Sequence, residues 1–104
     1  PIIFGDGTHT RDFISVEDIA KANLLSMESK SDFSFLNIGT GISTSIKELA
    51  EIMIELSGKK MEISYDDLPL GDVKDSLADV SLAKTLINWN YETSLKTGLK
   101  KFFF

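Results

Sequence analysis

A short turn containing two glycines is the part of the chain whose spacing best suits phosphate binding. Gly39 and Gly41 follow the apolar run 35–38, a helix is predicted to start soon after them, and Asp66 comes after that helix. A dinucleotide site uses glycines for close approach of the phosphates and an acidic residue about 20 residues later for the ribose. Thr44 stands where the third glycine of that pattern belongs, and an ordinary strand-to-helix turn explains both glycines. We therefore favour a simple turn over a phosphate site.

Arg11 is a second candidate for binding phosphate. It lies in a glycine-containing loop between two strand-like runs, and the planar fork of a guanidinium matches the oxygens of a diphosphate. A structural ion pair with Asp12 or Asp18 explains this arginine equally well. The residue types alone leave both interpretations open.

An acidic stretch and a single histidine complete the candidates for chemistry. The acidic residues of the stretch are Asp66, Asp67, Asp72, Asp75 and Asp79. Their spacing matches no calcium loop, so we favour a solvated loop followed by a helix cap. His9 is the only histidine, which excludes a multi-histidine metal site, and a general base needs a partner that the sequence does not identify. We expect no metal-binding residue in this chain.

The composition is that of one globular domain. Of the 104 residues, 42% are apolar and 26% are charged, and a chain of this length buries a core without disulfides or metals. Cysteine is absent, and sixteen acidic against eleven basic residues give a net charge of −5, which disfavours a nucleic-acid partner. No apolar run is long enough to span a bilayer, so we expect a cytoplasmic protein without a membrane partner. The chain starts without Met and ends on three phenylalanines, which suggests a piece of a longer protein.

Apolar periodicity and capping residues predict the elements that position these candidates. Strands are predicted at 2–4, 13–16, 35–38 and 61–65, with residues 5–10 reversing the chain between the first two. Helices are predicted from Ser15 to about Met27, from Ser45 to Gly58, after Asp79, and from Thr93 or Ser94. Strands alternating with helices indicate an α/β fold with a parallel layer, in which the short final helices form a separate cap.

The same periodicity predicts which side chains form the core. In the first helix the predicted buried residues are Ile19, Ala20, Leu24 and Met27. In the second helix they are Ile46, Leu49, Ala50, Met53 and Leu56. Trp89 and Tyr91 are most simply explained as core packing between the last two helices.

Two blocks of sequence resemble a known enzyme family. Residues 5–18 read Gly-Asp-Gly-Thr-His-Thr-Arg-Asp-Phe-Ile-Ser-Val-Glu-Asp, and residues 71–79 read Gly-Asp-Val-Lys-Asp-Ser-Leu-Ala-Asp. Together with Asn-Ile-Gly-Thr-Gly at 37–41 and Ser-Ile-Lys-Glu-Leu at 45–49, they resemble in order and spacing the C-terminal third of the extended short-chain dehydrogenase/reductases. Within that family the resemblance is strongest to the UDP-glucose and UDP-N-acetylglucosamine 4-epimerases.

The resemblance implies that residues 1–104 are the C-terminal substrate-binding portion of an NAD-dependent UDP-sugar 4-epimerase with an extended Rossmann-type fold. In this family the N-terminal part binds NAD and carries the catalytic Tyr-x-x-x-Lys pair. We therefore expect no catalytic or cofactor-binding residue in this chain and no activity from it in isolation. A homodimeric parent is also implied, while the isolated chain is expected to self-associate. A related nucleotide-sugar dehydratase or reductase, or a non-catalytic binding module, remains the alternative.

The resemblance assigns substrate contacts to three residues. Arg11 corresponds to an arginine that contacts the UDP diphosphate, and Asp72 to an aspartate that contacts the uridine ribose. Ser76 corresponds to a position lining the sugar pocket, where a small side chain leaves room for an N-acetyl group, although a loop serine that bonds nearby backbone explains it equally well. Pro69 replaces the second phosphate-binding arginine that is usual in the family, which removes a contact worth about 1.5–3 kcal/mol. Asp18 is interpreted as a helix-start residue without a ligand role.

Overall fold

Short strands and helices alternate along the chain in the structure, a computed structural model that describes residues 1–30, 32 and 34–103. The strands are β1 (Ile2–Phe4), β2 (Thr10–Arg11), β3 (Thr44–Ser45) and β4 (Ser64–Asp66). The helices are α1 (Val16–Glu28), α2 (Ile46–Ser57), α3 (Ser81–Ile87) and α4 (Leu95–Lys100). The predicted α/β class with four helices is confirmed. None of the helices in the described part of the chain is long and apolar enough to cross a membrane.

The strands form two pairs. β1 runs parallel to β4, with Ile3 opposite Tyr65, and β2 runs antiparallel to β3, with Arg11 opposite Thr44. The parallel arrangement expected from the sequence is present in the first pair. Residues 5–10 do not form a hairpin turn, because β1 and β2 pair with different strands. They instead lead the chain from one strand pair to the other.

Side-chain caps begin most helices where the sequence predicts them. Ser15, Ser45 and Ser94 each accept a hydrogen bond from a backbone N–H in the first turn of α1, α2 and α4. Gly58 ends α2 with a φ of 65°, a left-handed conformation that glycine adopts without strain. In α3 the capping residue differs from the prediction, because Asp79 bonds the first helical residue from just outside the N-cap position.

The core lies between α1 and α3 and is centred on Trp89. This side chain is only 1% exposed, and it clusters with Ala22 of α1 and with Ala83 and Ile87 of α3. The indole N–H donates a 2.9 Å hydrogen bond to the carbonyl oxygen of Gly39, so the buried polar atom is satisfied. The predicted core role of Trp89 is confirmed, but the helices that surround it are α1 and α3 rather than the last two.

The predicted strands at 13–16, 35–38 and 61–65 differ from the structure. Residues 13–16 connect β2 to the start of α1, and residues 35–38 belong to none of the four strands of the described ranges. β4 covers Ser64–Asp66 because its register is set by β1. A run of apolar residues indicates burial, whereas a strand also needs a neighbouring strand whose backbone groups are free to pair. Alternation alone does not identify that neighbour.

The buried face of α1 also differs from the predicted one. Leu24 is 59% exposed and Met27 is 82% exposed, whereas Asp18 and Ala22 are buried. Asp18 faces inward because its carboxylate accepts hydrogen bonds from the backbone N–H groups of residues 92 and 93, at 3.2 and 3.0 Å. A buried carboxylate needs such partners, and with Asp18 facing inward three of the four predicted core residues of α1 are exposed, while Ile19 is half-buried. Asp18 therefore links α1 to the segment that precedes α4.

The outward face of α1 carries a row of apolar side chains, which we call the α1 stripe. It consists of Val16, Ala20, Leu24 and Met27, all exposed. In α2, by contrast, the predicted face does point inward. Ala50 there is buried and its apolar neighbours on the same face are mostly half-buried.

Candidate functional site

Arg11 is surrounded by acceptors from a distant part of the chain. Its Nη2 donates to Asp72 Oδ1 at 3.1 Å and to the carbonyl oxygen of Val73 at 2.6 Å. Its Nη1 donates to the carbonyl oxygens of Thr10, at 2.7 Å, and Lys74, at 3.2 Å. The guanidinium thus joins the end of β2 to residues 72–74.

The sequence left open which carboxylate forms an ion pair with Arg11, and the structure identifies it. A pair with Asp12 or Asp18 is wrong, because the partner is Asp72. The two side chains keep 30% and 41% of their surface exposed, so solvent screens the pair and its own contribution to stability is at most about 1 kcal/mol. The fold therefore brings together two of the three residues to which the resemblance assigns substrate contacts.

Residues 72–76 lie along β2, and we call them the docked segment. The backbone N–H of Thr10 donates to the carbonyl oxygen of Lys74 at 2.9 Å, and the N–H of Ser76 donates to the carbonyl oxygen of Thr10 at 3.2 Å. The Thr10 hydroxyl also donates to the Asp75 carboxylate at 2.8 Å. These bonds hold the docked segment parallel to β2, so Asp72 and Ser76 are both fixed close to the end of this strand.

Arg11 and Ser76 line the same shallow groove, which has a volume of about 450 Å³. The other residues that line it are Asp12, Leu36, Asn37, Ile38, Leu77 and Ala78. The groove combines a cation, a carboxylate, a hydroxyl and an amide with apolar side chains, and such a mixture can bind a small polar molecule. The assignment of Ser76 to a sugar pocket stays a prediction.

Asp12 connects the end of β2 to the glycine turn. Its Oδ1 accepts hydrogen bonds from the backbone N–H of Thr40, at 3.0 Å, and from the Thr40 hydroxyl, at 2.5 Å. Its Oδ2 accepts one from the backbone N–H of Gly41, at 2.9 Å. The carboxylate thereby accepts hydrogen bonds from the backbone N–H groups of two successive residues in the turn.

These hydrogen bonds change the acidity of Asp12. Partial burial, the largest single influence, raises the pKa of this carboxyl. Hydrogen bonds from the side chain and backbone of Thr40 and from the backbone of Gly41 and Ala78 act in the opposite direction, and together they hold the pKa below its ordinary value of 3.8. Asp12 is therefore a carboxylate at neutral pH.

Gly39 is required by the close approach of two other residues. A Cβ at this position would lie 2.6 Å from Ala78 Cβ and 2.6 Å from Asp12 Oδ2, closer than a Cβ approaches other heavy atoms in proteins. Its carbonyl oxygen also accepts the indole N–H of Trp89. Contacts within the protein thus explain this glycine.

The residues of the glycine turn do not fit a dinucleotide. A pyrophosphate needs free backbone N–H groups at such a turn, but those of Thr40 and Gly41 are bonded to Asp12. The described residues therefore offer no NAD site at this turn, and no hydride step is assigned to them.

The other candidates from the sequence are dispersed. In residues 1–30, 32 and 34–103, no three histidine or acidic side chains are arranged to hold a metal ion. The Asp79 carboxylate bonds the N–H and hydroxyl of Ser81, which lowers its pKa and gives it a role at the start of α3. His9 is half-buried, and its Nδ1 has no hydrogen-bond partner within the described ranges.

The sequence analysis missed Asp12 as a residue that builds the site. From the sequence, Asp12 was considered only as a possible ion-pair partner of Arg11. One signal was available, because a Gly-Thr-Gly turn leaves backbone N–H groups that need acceptors, and a carboxylate is the strongest acceptor among side chains. Nothing in the sequence, however, tells which of the sixteen acidic residues supplies it.

Almost the whole chain is similar in sequence to known proteins. Residues 1–102 match the family model described as GDP-mannose 4,6-dehydratase. A putative UDP-glucose 4-epimerase from Methanocaldococcus jannaschii is 44% identical over 101 residues, which are 97% of this chain and 32% of that protein.

Solved structures of two epimerases have the same fold over almost all of the chain. The UDP-glucose 4-epimerase of Thermotoga maritima, solved with UDP-glucose, gives a TM-score of 0.89 at 39% identity, over 95% of this chain and 32% of that one. The UDP-glucuronic acid 4-epimerase of Bacillus cereus, solved with UDP-glucuronic acid and NAD, gives a TM-score of 0.87 at 33% identity, over 95% of this chain and 32% of that one. This chain thus spans about a third of the length of the relatives it matches.

Proposed function

We propose that this chain, which belongs to the GDP-mannose 4,6-dehydratase family of extended short-chain dehydrogenase/reductases, is the substrate-binding part of a UDP-sugar 4-epimerase. In this proposal residues 1–104 are the C-terminal portion of a longer parent protein. The rest of the parent binds NAD and performs the hydride chemistry, so the isolated chain is inactive. The proposal is supported by the epimerases described above, about a third of whose length corresponds to this chain.

One observation carries the proposal. Arg11 and Asp72 are 61 residues apart in the sequence, yet their side chains are in contact, and Ser76 lines the same groove as Arg11. These are the residues to which the resemblance assigns the diphosphate, the ribose and the sugar. A nucleotide sugar presents these three groups in that order of connection, ribose to diphosphate to sugar, so one extended ligand can reach all three residues.

The unused hydrogen-bonding capacity of the site suits such a ligand. Among the described residues, the Nε–H of Arg11 has no acceptor, so it remains available to a phosphate oxygen. Oδ2 of Asp72 likewise has no donor in that part of the chain, and this half-exposed carboxylate can accept a hydrogen bond from a ribose hydroxyl. Both interactions are charge-assisted, which makes them stronger than neutral hydrogen bonds.

A nucleotide-sugar dehydratase or reductase of the same family is the second candidate. It is favoured by the description of the matching family model, GDP-mannose 4,6-dehydratase. The reactions differ in their products, because an epimerase changes one configuration and keeps the atomic composition, whereas a dehydratase releases water and a reductase consumes reduced nicotinamide. Mass analysis of the product therefore distinguishes them.

The test uses the full-length parent with UDP-glucose and UDP-galactose. We expect interconversion of the two without a change in mass. Asp72→Ala is expected to lower kcat/KM by about 10- to 100-fold, since a charge-assisted hydrogen bond contributes about 1.5–3 kcal/mol. Asp67→Ala is the matched control, because Asp67 is another exposed loop carboxylate but, among the described residues, makes no ion pair with Arg11.

Two results would contradict the proposal. If the parent fails to bind UDP-sugars, or if Asp67→Ala and Asp72→Ala lower kcat/KM equally, the groove is not the nucleotide-sugar site. Loss of water from the substrate would instead favour the dehydratase.

A further inference from the structure

Arg11 donates most of its hydrogen bonds to the docked segment. Of the four acceptors reached by its two Nη atoms, three belong to that segment: Asp72 Oδ1, the carbonyl oxygen of Val73 and the carbonyl oxygen of Lys74. Two of the three are backbone oxygens. A side chain that binds backbone in this way fixes the path of the chain and not only the charge of one neighbour.

The docked segment has few other attachments. All of residues 71–77 are exposed, so no buried apolar side chain holds them in place. In the described part of the chain, three hydrogen bonds link Thr10 to the segment, and three more come from the guanidinium of Arg11. Arg11 thus supplies half of the hydrogen bonds that hold residues 72–76 against β2.

We propose that Arg11 is a positioning residue that holds the docked segment against β2, so that Asp72 and Ser76 are in place before the nucleotide sugar binds. This inference rests on the proposed function and deepens it, because it adds a second task for Arg11 beside the diphosphate. The two tasks predict different effects. A residue that only contacts phosphate affects ligands that contain phosphate, whereas a residue that positions the docked segment also affects the nucleoside.

Uridine and UDP are the probes that separate these effects. Both are titrated calorimetrically into the full-length parent and into its Arg11→Lys variant. Lysine keeps the positive charge, but a single ammonium group cannot reproduce the fork that reaches three acceptors on the docked segment. We expect uridine to bind about tenfold more weakly, the loss that corresponds to about 1.4 kcal/mol in a misplaced ribose contact. UDP loses at least as much, because lysine also lacks the Nε–H that is available to a phosphate oxygen.

Thr10→Val provides a second variant that removes no charge. It eliminates the bond from the Thr10 hydroxyl to Asp75 and keeps the backbone bonds of β2. Because it loosens the same segment from the other side, we expect a parallel loss for uridine and UDP of about threefold, as for one neutral hydrogen bond. Lys84→Gln is the control, since it removes a cation from α3 outside the site, and we expect both affinities to stay at the wild-type value.

The result that overturns the inference is specific. If Arg11→Lys leaves uridine binding at the wild-type value and weakens only UDP, Arg11 acts on the diphosphate alone and does not position the segment. A wild-type parent that binds neither uridine nor UDP overturns the proposed function instead. The two failures are therefore distinguishable in one set of titrations.

Discussion

Replacement of Asp12 by asparagine tests whether this residue fixes the glycine turn. Asp12→Asn keeps the shape of the side chain but exchanges one acceptor oxygen for an NH₂ donor. The remaining oxygen can accept from Thr40 or from Gly41, and the new NH₂ group then meets a backbone N–H at the other position. One charge-assisted hydrogen bond is lost and two donors face each other.

The expected cost follows from that loss. A hydrogen bond to a charged group contributes about 1.5–3 kcal/mol, and the partial exposure of Asp12 favours the lower part of this range. We expect the free energy of unfolding of the 104-residue chain to fall by about 2 kcal/mol. For a chain of this size, that change lowers Tm by roughly 10 °C.

The loss depends on pH in a predictable direction. The folded state lowers the pKa of Asp12 below 3.8, so the carboxylate stabilises the fold fully above that value and loses this contribution as the pH falls through the lower folded-state pKa. Asp12→Asn has no such group to titrate. The difference in stability between wild type and variant is therefore largest near neutral pH and shrinks in acid.

Urea denaturation at several pH values, followed by tryptophan fluorescence, measures this difference. Trp89 is a suitable reporter because it is buried and donates to Gly39 in the same turn. Asp6→Asn is the matched control, since Asp6 also accepts bonds from the N–H and hydroxyl of a threonine, but in an exposed turn. We expect Asp6→Asn to lower the free energy of unfolding by less than Asp12→Asn does. Equal losses in both variants, or a difference that does not depend on pH, would refute the reasoning.

Three further predictions concern the cofactor, the sugar and the exposed helix face. Calorimetric titration of the isolated chain with NAD should give no saturable binding at micromolar concentration, because the N–H groups of the glycine turn are already bonded to Asp12; saturable binding would contradict this. Ser76→Tyr in the full-length parent should lower kcat/KM for UDP-N-acetylhexosamines by a factor of about 10 to 100 more than for UDP-hexoses, because the larger side chain fills space that an acetamido group needs; equal effects would remove Ser76 from the sugar pocket. The isolated chain should self-associate through exposed apolar residues such as the α1 stripe, and Met27→Lys should reduce the apparent mass in light scattering; a monomeric wild-type chain at all concentrations would contradict this.

The elements specified by local signals were predictable from the sequence. The start of α2 at Ser45 and its end at Gly58 depend on residues within one helical turn, and the structure has both. The face that α1 buries depends instead on distant residues. Two backbone N–H groups near α4 require the Asp18 carboxylate, and this requirement outweighs the apolar spacing of Leu24 and Met27.

In the candidate site too, the individual residues were predicted, but the contact between distant residues was not. A family resemblance suggested Arg11, Asp72 and Ser76; in the structure Arg11 and Ser76 line one groove, and Asp72 pairs with Arg11. Residue types and spacing alone could not have paired Arg11 with Asp72, because fifteen other acidic residues have the same charge and the two residues are 61 positions apart, with two helices between them. The contact depends on how the docked segment lies along β2, which no local pattern specifies.

Arg11, the last residue of β2, and Asp12, which follows it, bind two different segments of the chain. Both side chains line the same groove, yet their hydrogen-bond partners are separate. Here Arg11 binds residues 72–74, and Asp12 binds the turn at residues 40–41. The dipeptide at the end of β2 therefore joins both segments, with an arginine for carbonyl and carboxylate acceptors and a carboxylate for N–H donors. Each side chain has the chemistry that its own segment needs, so exchanging the two residues would place a cation against donors and an anion against acceptors.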